Sequence, residues 1–220
     1  MQLLQHVVQA MDQNVYIYFD ENSKEGVIID PGDDAAQIID IVEENGIKVK
    51  YILLTHGHSD HIGAIPEIKE KYDWPVAAHA WEVPVLEDEE ANLSAMFRRD
   101  MSFTPDLLLQ DGQELTVGGA TIRVLHTPGH TIGGVCYDCP GDGIVFSGDT
   151  LFYGSVGRTD FPNPPVKNGI GYPTSENFDR LIRSIKEKLF VLPDNTIVYP
   201  GHGGQTRIGF EKQFNPFVKG

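Results

Sequence analysis

The chain has 220 residues, 40% hydrophobic and 22% charged, which suits a single globular domain able to bury a substantial core. Its formal net charge of −15 argues against a general nucleic-acid binder, because phosphate recognition relies on Lys and Arg. No apolar run approaches the roughly 18 residues a membrane span needs, and the first six residues carry neither a basic n-region nor a long apolar h-region, so a cytoplasmic protein without membrane contact is expected.

The first thirty residues predict strands over Gln2–Val8, Val15–Phe19 and Gly26–Ile29, separated by polar turns. Pro31-Gly32-Asp33-Asp34 breaks this pattern and is expected to cap a helix over 35–45, with Ile38, Ile39, Ile41 and Val42 on its apolar face. A strand over 49–54, a helix over 62–72, a short strand over 75–78 and a helical stretch over 80–98 follow. The acidic run Glu87-Asp88-Glu89-Glu90 reads as a solvated helix face. The middle returns to β structure: Glu114–Val117 and Thr121–Leu125 joined by a hairpin at Gly118-Gly119, then strands over 132–137 and 143–147. After an irregular loop over 152–174 come a helix over 175–189 and a strand over Thr196–Tyr199. Two β-rich halves with flanking helices, undivided by any linker, predict one α+β domain over 1–220, two sheets face to face with helices outside.

Charge is uneven. Residues 1–160 hold 9 basic and 27 acidic side chains, and residues 161–220 hold 8 and 5. An anionic substrate would meet less repulsion near the C-terminal third, although Glu176/Arg180, Asp179/Arg183 and Arg183/Glu187 are also spaced as i,i+4 helix pairs. Cys136 and Cys139 form a C-x-x-C without a second pair. Positions three apart on a strand face opposite sides, so structural thiols are expected.

The chemistry concentrates in Thr55-His56-Gly57-His58-Ser59-Asp60-His61, directly after the apolar run Tyr51-Ile52-Leu53-Leu54. Strand ends are where α/β proteins bind ligands. Imidazole and carboxylate are donors that divalent metals accept, and packing alone does not call for such crowding. Three more candidates follow predicted strands, each preceded by a glycine that lets the backbone turn: His130, Asp149 and His202. Asp30, at a strand end before Pro31, either supports a ligand or caps the next turn. His126 is a candidate support for His130, while His6 and His79 read as structural.

Taken together, the pattern His56-x-His58-x-Asp60-His61, His130, Asp149, His202 resembles the metallo-β-lactamase superfamily along nearly the whole chain, and within it the glyoxalase II (hydroxyacylglutathione hydrolase) group. The resemblance implies the αββα four-layer sandwich. It implies that one metal takes His56, His58 and His130 and the other Asp60, His61 and His202, with Asp149 bridging, so that Asp60 and Asp149 are both ligands and catalytic groups. Two divalent ions per chain are implied, zinc first, with iron or manganese also suited to the Asp60 site. Gly148-Asp149-Thr150-Leu151-Phe152 with Gly157-Arg158-Thr159-Asp160-Phe161 is similar to short bacterial hydrolases of the group and to persulfide dioxygenases. The C-terminal run Gly201-His202-Gly203 to Asn215-Pro216-Phe217 is similar to the short hydrolases.

The chain ends 18 residues after His202, so the helical C-terminal domain that helps hold glutathione in full-length glyoxalase II is expected to be absent. Of that family's glutathione-contacting cations only Arg158 has a match, as Arg for Lys. The loop over 162–174 is longer than usual and is expected to shape the substrate mouth, with Arg158 and Tyr172 as substrate contacts. The resemblance thus implies hydrolysis of S-2-hydroxyacylglutathione or a related anionic thioester by a metal-activated water, as a monomer or homodimer. Two other activities share these residues: a mononuclear iron persulfide dioxygenase using His56, His130 and Asp149, and a lactone hydrolase. A β-lactamase of the best-known subclass would carry cysteine where Asp149 stands.

Overall fold

The computed structural model describes residues 1–9, 11–99, 101–165 and 169–218. Its first sheet begins with an antiparallel meander of β1 (Gln2–Val7), β2 (Asn14–Phe19) and β3 (Glu25–Ile29). It continues in parallel through β4 (Lys48–Leu53), β5 (Val76–His79) and the short edge strand β6 (Leu107–Leu109). In the second sheet β7 (Glu114–Val117), β8 (Ala120–His126), β9 (Val135–Cys139) and β10 (Ile144–Gly148) are antiparallel neighbours. Residues 151–156 make a small hairpin, β11 (Leu151–Phe152) and β12 (Ser155–Val156). The sheet then finishes with β13 (Ile197–Pro200), parallel to β10, and β14 (Thr206–Arg207).

Strand alternation builds the layers. In β2, Val15, Ile17 and Phe19 pack outward with Ile38 and Ile39 of helix α1 (Ala35–Glu44). Tyr16 and Tyr18 point the other way and meet Val124, Tyr137 and Phe146 of the second sheet. Phe146 lies 5.3–5.8 Å from the rings of Tyr16, Tyr18 and Tyr199, and such pairs add about 0.5–1.5 kcal/mol each beyond burial. On the far side, Cys136 and Val145 pack under Leu181 of a helix over Asn177–Ser184 and Ile185 and Leu189 of the π-helical turn after it. The result is the four-layer α+β sandwich. Cys136 and Cys139 are free and buried, in the outer cluster and between the sheets respectively.

Several elements depart from the sequence-based expectation, each for a local reason. The helix expected over 62–72 divides into α2 (Ser59–Ile62) and α3 (Ile65–Lys71), because Pro66 starts a new first turn and the Ala64 N–H donates to Pro31 O (3.0 Å). The stretch 80–98 reduces to a 3-10 turn (Ala80–Glu82), α4 (Val83–Leu86) and a second 3-10 turn (Ser94–Phe97) between left-handed Leu93 and Arg98. The acidic run there lies in a turn: Asp88 Oδ1 accepts the N–H groups of Glu90 and Ala91. Asp34 does not cap α1 with its side chain; its carboxylate faces His6 Nε2 (3.2 Å). The strand expected over 132–137 starts at Val135, because residues 127–134 form the turn that carries His130 (Thr127 N–H to Gly134 O, 2.8 Å). The helix expected over 175–189 opens with a 3-10 turn (Thr174–Glu176), continues as α5 (Asn177–Ser184) and ends in the π-helical turn. Strands β6 and β14, hairpin β11–β12 and α6 (Ile208–Phe214) were not expected. No helix among the described residues is long and apolar enough to cross a membrane.

Candidate metal centre

Both sheets deliver side chains to one edge of the sandwich. His56 and His58 follow β4, Asp60 and His61 lie in α2, His130 sits in the turn between β8 and β9, and Asp149 and His202 follow β10 and β13. Backbone bonds tie these ends together: Val135 N–H to Thr55 O (2.8 Å) and Gly201 N–H to Gly148 O (2.9 Å). The closeness needs glycine at two points. A Cβ on Gly201 would lie 2.4 Å from Asp149 Oδ1, and Gly148, at φ +47°, would press a Cβ onto Thr55.

Two groups of three donors that share no member result, His56/His58/His130 and Asp60/His61/His202, each with its ligand atoms within 4.8 Å of one another, and a third, Asp30/His56/His61, overlaps both. Asp149 stands between the first two: Oδ1 is 3.3 Å from His61 Nε2, and Oδ2 is 3.6 Å from His130 Nε2 and 3.7 Å from His202 Nε2. His56 Nε2, His130 Nε2 and Asp149 Oδ1 are buried without a hydrogen-bond partner. Unpaired buried polar atoms cost about 1–3 kcal/mol each, and a bound cation removes that cost. Nitrogen and carboxylate donors in these numbers fit zinc, iron or manganese.

Outer contacts fix the imidazoles. His130 Nδ1 donates to Arg158 O (2.7 Å), His202 Nδ1 to Met11 O (3.2 Å) and His61 Nδ1 to Asp30 Oδ2 (3.0 Å). Because carbonyl and carboxylate oxygens only accept, each of these rings carries a proton on Nδ1 and aims Nε2 inward, toward the other donors. Asp30, itself buried, also accepts the Thr55 N–H and hydroxyl (2.7 and 2.6 Å), so it supports a ligand rather than capping a turn. Burial pushes His58 down to about 3, with His130 adding to it, and also depresses His56 and His130. Burial opposes ionisation of Asp60 and Asp149, but the neighbouring imidazoles, His61 foremost, hold both below the usual carboxylate range. Burial alone would depress His61; Asp149, Asp60 and Asp30 instead raise it well above its ordinary value.

A family model of the metallo-beta-lactamase superfamily matches residues 9–202, from before β2 to the last of these histidines. The chain belongs to that superfamily. Within it, the complete donor set makes this a metal-dependent hydrolase. It is similar to a probable metallo-hydrolase, YqgX, of Bacillus subtilis (40% identity over 92% of each chain) and to the hydroxyacylglutathione hydrolase GloC of Haemophilus influenzae (36%, over 96% of this chain and 95% of that one). Among solved structures it is similar to the BLEG-1 B3 metallo-beta-lactamase (TM-score 0.86, 37% identity, all of both chains). It is also similar to TTHA1623 in a di-iron-bound form (0.80, 35%, over 97% of this chain and 99% of that one) and to ETHE1 of Myxococcus xanthus (0.76, 28%, over 98% and 84%).

As in other enzymes built on sheet edges, loops of this superfamily member surround the metal centre. A cleft of about 370 Å³ opens above the ligands. Its wall is mostly apolar, from Met11, Leu93, Met96, Phe97, Phe152 and Phe161. Arg158 also lines it, but its guanidinium is held bidentately by Asp160 (2.9 and 2.7 Å) over the Phe161 ring. Tyr172, in contrast, does not line the mouth. It is 4% exposed, packed with Val85, Ala91 and Ile132 beneath the Arg180 guanidinium, because an aromatic ring in a long loop gains more from that cluster than from water. Residues 166–168 of the loop expected to shape the mouth lie outside the described residues. The basic C-terminal side chains Arg180, Arg183 and Lys188 face a separate depression of about 200 Å³ beside Asp111, not the cleft. Of the three expected helix pairs there, Glu176–Arg180 closes at 2.7 Å. His126 does not contact the His130 ring; it stacks on His79 at 4.1 Å and donates to Ile132 O in the turn that carries His130. Sequence reasoning missed the rim residues Leu93, Met96 and Phe97 and the buried Glu82; no local motif marks any of them.

Proposed function

We propose that this chain is a dinuclear thioester hydrolase of the glyoxalase II type, cleaving S-2-hydroxyacylglutathione or a related anionic thioester. The observation that carries this reading is the convergence of two complete three-donor groups on the single Asp149 carboxylate. His56, His58 and His130 would hold one ion, Asp60, His61 and His202 the other, and Asp149 both. When bound, such ions polarise a carbonyl and bring the pKa of a water toward 7.

The protein's own residues do the rest. His61, His130 and His202 are locked in one tautomer by Asp30 and by the carbonyls of Arg158 and Met11, so the donors are pre-oriented. Met96, Phe97 and Phe161 give the acyl group an apolar wall to rest against. Arg158 offers the cleft a cation at its edge. In the reaction the acyl–sulfur bond breaks, the water's hydroxyl goes to the acyl carbon and its proton to the departing thiolate.

The 36% identity to GloC supports the thioester reading. The likeness to ETHE1 keeps a second reading, a mononuclear iron dioxygenase, within the same test. Metal-loaded protein is incubated with S-lactoylglutathione, a β-lactam, a lactone and glutathione persulfide, with metal content and oxygen uptake measured. The expected result is thioester turnover with two metals per chain, falling at least about a thousandfold in Asp149→Ala, a loss on the scale of removing essential catalytic groups. Turnover no faster than Asp149→Ala rejects thioester hydrolysis. One iron with persulfide-dependent oxygen uptake replaces it with the dioxygenase.

A further inference from the structure

Glu82 is a carboxylate the chemistry above does not use, and it is 1% exposed. It ends the 3-10 turn Ala80–Glu82, yet its oxygens serve other segments. Oε1 accepts the Gly57 N–H (2.7 Å), in the link between His56 and His58. Oε2 accepts the Thr131 hydroxyl (2.9 Å) and the Gly133 N–H (2.8 Å), in the turn that carries His130. One side chain therefore joins the two loops that supply all three donors of the His56/His58/His130 group, while in the other group His202 lies on a separate segment and Asp60 and His61 follow in α2. All three partners are neutral donors.

The chemistry selects a carboxylate. A buried carboxylate is costly unless its oxygens are satisfied, so a site that merely needed filling would take an apolar residue. Glutamine has one acceptor oxygen and would aim its NH₂ at the Gly57 or the Gly133 N–H, losing at least one of these backbone bonds. The loops also rest on the same short segment. A Cβ on Gly57 would come within 3.2 Å of both Leu86 and Val85, and one on Gly133 within 2.2 Å of the Glu82 nitrogen.

We infer that Glu82 is the positioning residue of the His56/His58/His130 metal subsite, setting the distance between its two loops without touching a ligand side chain. The inference rests on the metal-binding reading above. Partners bonded directly to a ligand are worth about 10–100-fold in metal affinity, and Glu82, which acts through the backbone of both loops, is expected at the lower end of that range.

The test separates the subsites. Zinc affinity is measured by competition with a chromophoric chelator in two backgrounds: His202→Ala, which disables the Asp60 group, and His58→Ala, which disables the other. Glu82→Gln is expected to weaken zinc at least about tenfold in the His202→Ala background and less than about twofold in the His58→Ala background. Thr131→Val, which removes one bond and keeps the carboxylate, is expected to give a smaller loss at the same subsite, and it decides the matter if Glu82→Gln does not fold. Equal weakening in both backgrounds makes Glu82 a general stability element and overturns the assignment, as does weakening in neither. A parent chain that binds no zinc overturns the metal-binding reading itself.

Discussion

At the floor of the cleft His61 is fully buried and His56, His58 and His130 are 3–5% exposed, whereas at the rim Met96 is 71% and Phe97 52% exposed. The floor draws its side chains from the ends of strands in both sheets, cross-linked by backbone bonds and by the buried carboxylates Asp30 and Glu82. The rim hangs on short turns, one bounded by left-handed Leu93 and Arg98, and its cation is tied up at the surface by Asp160. Groups that must meet within a few ångströms are fixed by the fold, and groups that choose a substrate sit where the backbone is least constrained. Damage to the floor should therefore cost metal and kcat together, and damage to the rim should alter KM alone.

Outside the ligands themselves, the largest expected effect lies at Asp30. Its three accepted bonds hold the Thr55 backbone and His61 Nδ1 together, and the residue itself is left-handed at φ +52°. Asparagine tolerates that backbone but offers one acceptor oxygen where the site uses two. Asp30→Asn should lower zinc affinity at the Asp60/His61/His202 group by about 10–100-fold, with a parallel loss of kcat. Chelator competition alongside steady-state kinetics checks this; a rise in KM at unchanged metal affinity would break the division between floor and rim.

A milder effect concerns the platform under the ligand loops. It starts at His79, which stacks on His126 at 4.1 Å and accepts the Trp81 N–H. Burial, and then His126, push His79 down to about 4, and burial lowers His126 as well. As pH falls below 6.5 the unfolded chain takes up protons that the folded chain refuses, so stability declines between pH 6.5 and about 4 and levels off below that. Each such group contributes a slope of up to about 1.4 kcal/mol per pH unit. Melting the metal-free protein across this window, the slope should be shallower in His79→Phe than in the parent; equal slopes would place the acid sensitivity elsewhere.

The floor was legible in the sequence because each donor had to follow an apolar strand and a turn. His130, Asp149 and His202 all carry that local signature, and the same strand runs announced the layers of the sandwich. What stabilises the floor was legible only in part: Asp30 was expected either to support a ligand or to cap a turn, with no partner assigned, and Glu82 was missed. Asp30 reaches His61 across 31 positions, and Glu82 reaches Gly133 across 51, and no spacing rule links partners brought together only by folding. The rim was misread for a related reason. Residues 80–98 look helical as a composition, but Pro84 and the left-handed Leu93 and Arg98 divide them into short turns that aim Met96 and Phe97 at the cleft. Tyr172 shows the opposite error: its loop position suggested exposure, while its ring completes an apolar cluster.

Arg158 gives the smallest effect and the sharpest test of the rim, because its backbone and side chain belong to different regions. Its carbonyl orients His130, and that bond survives any change of side chain. Its guanidinium is largely exposed and already paired with Asp160, an arrangement that solvent screens strongly. To hold an anionic substrate it must exchange that partner for the substrate's carboxylate, so little net energy is available. Arg158→Ala should leave zinc affinity and kcat unchanged and raise KM for S-lactoylglutathione by about three- to tenfold, since tenfold corresponds to about 1.4 kcal/mol. For an uncharged thioester of similar size KM should not move. An equal rise for both substrates would mean that Arg158 shapes the wall through Phe161 rather than reading charge, and recognition of the carrier would then fall to the apolar rim.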